Sequence, residues 1–337
     1  MGQVVLVTGG AGFIGSHTAK ALAEGGHVPV VYDNLSNGHR EAVQWGPFVH
    51  GDVRDRSGLV QALNDHAATA VIHFAGRIEV AESMSRPDLY WDHNVAGMAA
   101  VLDAIRACDI AHLVFSSTAA VYGTPRGPGL LREDDVTNPI NPYGDTKLAG
   151  ERMIAAACEA YGLSAIALRY FNACGSDPAG AIGEAHTPET HLIPRAIDAA
   201  LGLGPALIIN GTDFPTADGT CIRDYVHVSD LADAHVRAVN LAPSAGRFRA
   251  LNLGTGVGTS IREILAGIDQ VIGHKTAYSE GPRRAGDPER LVADPSAAQA
   301  LLGWQANHSS LETILATAIR WRRQPAFGLA SPLARAA

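Results

Sequence analysis

Tyr143 and Lys147 stand four residues apart in the run YGDTK. On a helix that spacing puts both side chains on one face, so an ammonium can lie beside a phenol. A phenol ordinarily gives up its proton near pH ~10, and each unit of downward shift reflects about 1.36 kcal/mol of preferential stabilisation of the phenolate. A lysine cation favours phenolate, as would an oxidised nicotinamide held nearby, and together they tune the tyrosine toward a base usable near neutral pH. Y-x-x-x-K alone is common on ordinary helices. Here it follows a run ending FSST, which places the hydroxyls of Ser116, Ser117 and Thr118 at the C-terminal end of a strand. Sites in parallel sheets open at that end. Ser116 and Ser117 are expected to cap backbone, and Thr118 to meet substrate.

The opening VVLVTGGAGFIG sets Gly9, Gly12 and Gly15 between an apolar strand and an apolar helix. Glycines there permit a tight turn and let a pyrophosphate approach a helix N-terminus, where free N–H groups and the dipole favour anions. Three glycines are a weak signal, and a purely structural turn is the plain alternative. The next strand ends VVYDN, placing Asp33 about 20 residues beyond the turn. A carboxylate at that point accepts hydrogen bonds from an adenosine ribose and repels a 2′-phosphate, which favours NAD over NADP.

The elements that must hold these residues alternate. Strands are expected at Val4–Val7, Val28–Tyr32, Phe48–His50, Ala70–Phe74, His112–Ser117 and Ala165–Tyr170. Helices are expected at Phe13–Glu24, Pro87–Cys108 and Tyr143–Tyr161. The strand runs are continuously apolar, as in strands buried on both faces. The expected fold class is α/β: a Rossmann-type doubly wound parallel sheet with a smaller C-terminal substrate-binding lobe. Past Cys174, Gly, Pro, Asp and Thr crowd Gly175–Glu189 and Asn210–Thr220, which reads as loops framing a binding surface. A strand-to-helix pattern resumes over Tyr225–Ala238, and Ala250–Leu253 is another β run. The expected division is therefore a dinucleotide domain over 1–174, to which the chain returns around 225–255, and a substrate domain over 175–330. Phe327–Ala337 lacks periodicity and is expected to fray.

The 337 residues carry 47% hydrophobic and 18% charged side chains, a globular composition, and a net charge of −8. That charge argues against a nucleic-acid partner. Cys108, Cys158, Cys174 and Cys221 match no zinc or redox spacing and are expected to be reduced thiols; no metal is expected. The short run Val4–Val7 lacks the basic flank of a signal peptide, and no apolar stretch is long enough to span a membrane. A cytoplasmic protein is expected.

Taken together, TGGAGFIG, HFAG, SSTAAVYG, NPYGDTK, LRYFNACG, HLIP, PTADGTCIRDYVHVSDLADAHV and RRAGD resemble the extended short-chain dehydrogenase/reductases, most closely the UDP-glucose 4-epimerases. The likeness runs from Val4 to about Trp304. It implies NAD-dependent inversion of C4 of a UDP-hexose, UDP-glucose to and from UDP-galactose, through a 4-keto sugar. By that resemblance Gly9, Gly12, Phe13, Ile14, Gly15, Asp33, Asn34, Asp52, Val53, Phe74, Ala75, Gly76 and Asn94 line NAD, with Asp52 and Val53 near adenine. Tyr143 is then the acid/base, Lys147 its partner and ribose anchor, and Thr118 the hydroxyl that shares the sugar's proton. Tyr170 and Phe171 pack near the nicotinamide. Asn172, His191, Leu192, Arg223, Tyr225, Arg284 and Asp287 belong to the nucleotide-sugar side. Two arginines suit a diphosphate, and the relatives imply a homodimer.

The sequence also departs from the pattern. Threonine replaces the usual serine at position 118, and Arg77 stands where a lysine is common. His93 precedes Asn94 where paired asparagines are usual, and His191 takes an asparagine position. Leu291 lies where side-chain bulk is associated with discrimination against N-acetylated sugars, and leucine is intermediate. Epimerases of UDP-N-acetylglucosamine, UDP-glucuronate or a UDP-pentose are the alternatives, and a non-catalytic NAD sensor is a distant one. Sugar dehydratases and uronate decarboxylases carry an acid after the strand hydroxyl, whereas this chain has Ala119 and Ala120.

Overall fold

The protein is described here from a computed structural model, over residues 2–127, 129–284 and 287–329. Its first six strands are β1 (Val4–Thr8), β2 (Val28–Asp33), β3 (Phe48–His50), β4 (Ala70–His73), β5 (His112–Thr118) and β6 (Ser164–Tyr170). They join Phe248–Leu253 in one seven-stranded sheet, in the order Phe248–Leu253, β6, β5, β4, β1, β2, β3. Every pairing is parallel. The order reverses between β1 and β4, and ligand crevices in such sheets form at that switch point, beyond the C-terminal strand ends.

Alternate residues of each strand feed opposite cores. Val5 and Val7 of β1 pack with Leu22, Leu231 and Ala234, whereas Leu6 packs with Leu59, Val101 and Leu113 on the other face. Helices Phe13–Glu24, Val228–Asn240 and Ser296–Leu302 cover the first face. Arg56–Asp65, Gly97–Ala107 and Pro142–Tyr161 cover the second. Burial on both faces explains the unbroken apolar runs of the strands. The fold is the expected Rossmann-type doubly wound α/β architecture.

The helix Pro142–Tyr161 carries the tyrosine and lysine. Asn141 caps it, its Oδ1 accepting from Gly144 N at 2.8 Å, Pro142 opens it, and Gly162 ends it with φ +78°. By contrast, the single helix expected over Pro87–Cys108 is divided. Pro87–Tyr90 is α-helical, Trp91–Ala96 is a π turn, and Gly97–Ala107 resumes the α-helix. The wider turn carries Asn94, whose amide binds Arg77 and Thr146 rather than facing solvent.

Beyond Cys174 the strands are short. Asn172–Cys174 pairs with Tyr225–His227, Ile222–Arg223 with Thr259–Ser260 and Arg290–Leu291, and Leu207–Asn210 with Tyr278–Gly281. Three helices not assigned from the sequence, Leu192–Leu201, Ile261–Ile272 and Leu311–Arg323, enclose a third core. The expected fraying does not begin at Phe327. That ring is buried and packs on Trp321 and His39, with centroids 5.1 and 5.3 Å away. The rest of the expectation, residues 330–337, lies outside the described residues. Among the described residues no helix is long and apolar enough to cross a membrane.

Candidate active site

The glycine turn joins β1 to the helix Phe13–Glu24. Gly9 has φ +72°, and a Cβ there would lie 2.6 Å from Ala75 N; at Gly15 it would lie 2.2 Å from Gly9 O. Those two glycines answer to the protein's own packing. Gly12 does not: a Cβ there would meet only Gly9 O, at 3.4 Å. Gly12 is also the N-cap of the helix, whose first turn has no side-chain cap and no acid. The open face and the uncapped N–H groups of Phe13, Ile14 and Gly15 form a cradle suited to a pyrophosphate. Asp33 ends β2, buried, with Oδ2 accepting from Ala11 N at 3.0 Å and Oδ1 from Leu35 N at 2.8 Å. Burial raises its pKa against the pull of those two N–H groups.

Asp52 lies beside Asn34, whose Nδ2 donates to it at 3.1 Å, and beside Arg54, whose hydrogen bonds hold the carboxyl well below the usual range. Val53 is buried against Gly97. Phe74 packs on His235, with centroids 4.6 Å apart. Asn94 Oδ1 accepts from Arg77 N at 2.8 Å, and its Nδ2 reaches Thr146 Oγ1 at 3.0 Å. The segment Phe74–Ala75–Gly76 is thereby tied to the helix that carries Lys147. The Arg77 guanidinium is engaged by Glu82, at 3.0 and 3.2 Å, rather than free for a ligand. His93 Nδ1 lies 3.0 Å from Leu89 O.

Tyr143 and Thr118 meet where β5 ends. Thr118 is the hydrogen-bonding neighbour of the phenol and also caps the turn after the strand, accepting from Ala120 N at 3.1 Å. Burial pushes Tyr143 up to about 12; Thr118 opposes that shift and Glu79 reinforces it. The expected depression by Lys147 is not present in the chain by itself. Lys147 is buried, with Nζ donating to Ser116 O at 2.9 Å and lying 5.0 Å from the Phe115 ring centroid. Burial lowers the ammonium to about 8, while Glu151 opposes the shift.

Ser116 and Ser117 do not cap backbone as expected. Ser116 Oγ bonds the Tyr170 hydroxyl, and Ser117 Oγ donates to Glu151. Sequence reasoning missed what lies beneath them. Glu151 is buried against Arg169, with Nε and Nη2 donating at 2.9 and 2.6 Å, and Arg169 Nη1 reaches the Tyr122 hydroxyl at 3.0 Å. The signal was available: Glu151 follows Lys147 by one helical turn, and Arg169 immediately precedes Tyr170 at the end of the sixth strand.

On the sugar side, Arg223 is paired with Asp287. Strand pairing sets Leu291 opposite Arg223 and Tyr225 opposite Asn172. Phe171 and Leu291 pack on one cluster with Tyr122 and Leu148. Arg284 is exposed, its carbonyl accepting from Asp287 N at 3.2 Å; with the Asn210 amide oxygen turned toward it, Asn210 accepts from its guanidinium at 3.0 and 3.2 Å. Leu192 begins a helix whose N-cap is His191. His191 Nδ1 lies 2.8 Å from Glu184 Oε1 and 3.1 Å from Glu189 Oε1. Burial would lower His191, but Glu184 and Glu189 override it and hold the imidazole protonated.

Residues 5–254 match the NAD dependent epimerase/dehydratase family. The chain belongs to that family. Within it, the UDP-glucose 4-epimerase of Rhizobium leguminosarum bv. trifolii is 48% identical over 320 residues, 95% of this chain and 97% of that protein. The Brucella ovis UDP-glucose 4-epimerase, solved in complex with NAD, matches with a TM-score of 0.92 at 52% identity, covering 97% of this chain and 99% of that one. A UDP-glucose 4-epimerase from Stenotrophomonas maltophila, with bound NAD and formylated UDP-arabinopyranose, gives a TM-score of 0.92 at 37% identity, covering 99% and 100%.

Proposed function

We propose that this family member is an NAD-dependent epimerase that inverts C4 of a UDP-hexose, interconverting UDP-glucose and UDP-galactose. The observation that carries the reading is Tyr143 bonded to the Thr118 hydroxyl at the end of β5, with the Lys147 ammonium buried on Ser116 O of the same strand. The dinucleotide is assigned to the cradle at Gly12, to Asp33 and Asn34, and to the segment Phe74–Gly76 braced by Asn94. Asp33 favours NAD over NADP because a carboxylate repels a 2′-phosphate. When bound, NAD would supply the hydride-accepting and hydride-donating chemistry at C4.

Tyr143 takes the proton of the sugar 4-hydroxyl, directly or through Thr118, and returns it after inversion. Lys147 places a positive charge under the site that favours phenolate once a sugar hydroxyl faces the tyrosine. Arg223 and Asp287 neutralise each other in the ligand-free chain; an incoming diphosphate takes over Arg223, which frees Asp287 for ribose hydroxyls. Binding concentrated on the nucleotide leaves the hexose free to turn.

Three broader assignments accompany this reading. Residues 1–174 form the dinucleotide domain, to which the chain returns around 225–255, and the rest of 175–330 forms the sugar domain. The protein is a cytoplasmic homodimer, supported by its free thiols and by the exposed Val80, Met84 and Trp91 beside the divided helix. No nucleic acid takes part.

The test is chromatographic: purified protein incubated with UDP-galactose yields UDP-glucose, and Tyr143→Phe loses about 10²–10⁴-fold in kcat. Full activity in that variant overturns the assignment, as does no conversion by the unaltered chain.

A further inference from the structure

We propose that Glu184, His186, Glu189 and His191 form a divalent transition-metal site suited to zinc. They lie on one loop in the order E-x-H-x-x-E-x-H, and one donor atom from each lies within 4.8 Å of all the others. The imidazole Nδ1 atoms of His186 and His191 stand 3.1 and 2.8 Å from Glu184 Oε1, and Glu189 Oε1 stands 3.1 Å from His191 Nδ1. Four donors at zinc bond lengths of ~2.0–2.1 Å in a tetrahedron lie about 3.3 Å from one another. The three close pairs therefore need only a few tenths of an ångström of expansion, while the remaining pairs, all within 4.8 Å, draw in around the ion. The ion displaces the proton that His191 holds in the ligand-free chain and releases it to solvent; two carboxylates then neutralise the dication, and this nitrogen and oxygen set suits zinc better than a hard cation.

A second observation points the same way. Glu189 Oε2 is buried without a hydrogen-bond partner, and Arg322 Nη1, 3.9 Å from it, is unsatisfied too. Buried carboxylate oxygens are seldom left so, and a missing ion is one of the standard reasons. The loop is also braced as a metal site requires. Trp321 Nε1 donates to Glu184 O at 2.8 Å, and His39 Nε2 lies 2.7 Å from Ala185 O.

The position gives the ion a role. His186 stands edge-on to Phe13 at the glycine turn, Thr190 Oγ1 donates to Glu79 Oε2 at 2.6 Å, and Leu192 follows directly. A metal here locks the loop that lies between the dinucleotide turn and the sugar side. The inference rests on the donor set alone, so its failure leaves the epimerase reading untouched.

The test uses the full, tag-free protein, stripped with a chelator and titrated with zinc alone against a chromophoric competitor. One ion per chain is expected, together with a raised melting temperature. Glu184→Gln and His186→Ala should each abolish both effects, and Cys108→Ser, which alters the one partly exposed thiol, should abolish neither. Cobalt in place of zinc should show four-coordinate d–d bands without thiolate charge transfer, a readout that needs no variant to fold. Absence of a stoichiometric ion, thiolate bands with cobalt, or binding that survives the paired Glu184→Gln and His186→Ala changes overturns the proposal.

Discussion

At the scale of single residues, the ligand-free chain holds its base in the resting form. Burial keeps the Tyr143 proton on to about 12, and Lys147 spends its charge on Ser116 O and the Phe115 face. Activation must therefore come with the ligands, whose arrival changes the surroundings of the phenol. Difference ultraviolet titration of the ligand-free protein against Tyr143→Phe should show no phenolate from this residue below pH ~10; phenolate near neutrality would mean that Lys147 alone activates it. The buried Glu151–Arg169 pair sets up the second residue-scale expectation. Glu151 also accepts from Ser117, and Arg169 reaches Asn252 through Tyr122, so removing Arg169 strands the Glu151 charge and cuts the link to Tyr122. Arg169→Met should cost about 3–5 kcal/mol in urea unfolding. A loss below about 1 kcal/mol would mean that the pair is not needed to hold these elements together.

At the scale of elements, the glycine turn separates what the fold needs from what a ligand needs. A methyl at Gly15 strikes Gly9 O, whereas a methyl at Gly12 makes only ordinary contact. Gly15→Ala should therefore lower stability sharply. Gly12→Ala should stay within about 1 kcal/mol of the unaltered chain, the scale of an N-cap change, and still lose dinucleotide affinity. Thermal melts and a fluorescence titration with NAD check both, and unchanged affinity in Gly12→Ala would remove the turn from the cofactor site. The same element shows why some structure was legible in advance. β1, β4, β5 and β6 are covered on both faces, so their apolar runs announce them, and Thr118 and Asp33 follow because they stand at strand ends. The helix Arg56–Asp65 was not legible, since RSGLVQALND buries only Leu59, Ala62 and Leu63. Nor was the π turn at Trp91–Ala96, because the apolar spacing on either side still reads as one helix. Its use becomes visible only when Asn94 is seen bonded to Arg77 and Thr146. The cluster at 184–191 is hidden in the sequence for a different reason: cysteine spacing marks a metal site by itself, whereas glutamate and histidine are common loop residues whose convergence only the fold reveals.

At the scale of the molecule, buried histidines join the layers. His73 lies 2.7 Å from Thr8 Oγ1 across two sheet strands. His235 bonds within the helix Val228–Asn240 and packs on Phe74. His227 reaches Thr317 Oγ1 at 3.0 Å, linking a short strand to the helix Leu311–Arg323 of the third core. Burial lowers His17, His227 and His235 to about 4, and burial with Lys147 lowers His73 to about 3. In the unfolded chain each takes a proton near its ordinary 6.5, so between that pH and about 4 the unfolded state binds more protons than the native one. Stability from these four is complete above pH ~6.5 and drains away as pH falls, by up to about 1.4 kcal/mol per pH unit for each. His186 and His191 act in the opposite sense: their raised pKa values give stability that is present below pH ~6.5 and lost as pH rises. Four groups outnumber two, so the urea midpoint should fall from pH 7 to pH 5. Because the histidines span all three cores, the fall should be one cooperative step, with tryptophan fluorescence and circular dichroism coinciding. A midpoint that stays level or rises toward pH 5 would mean that the Glu184 cluster outweighs the buried neutral histidines.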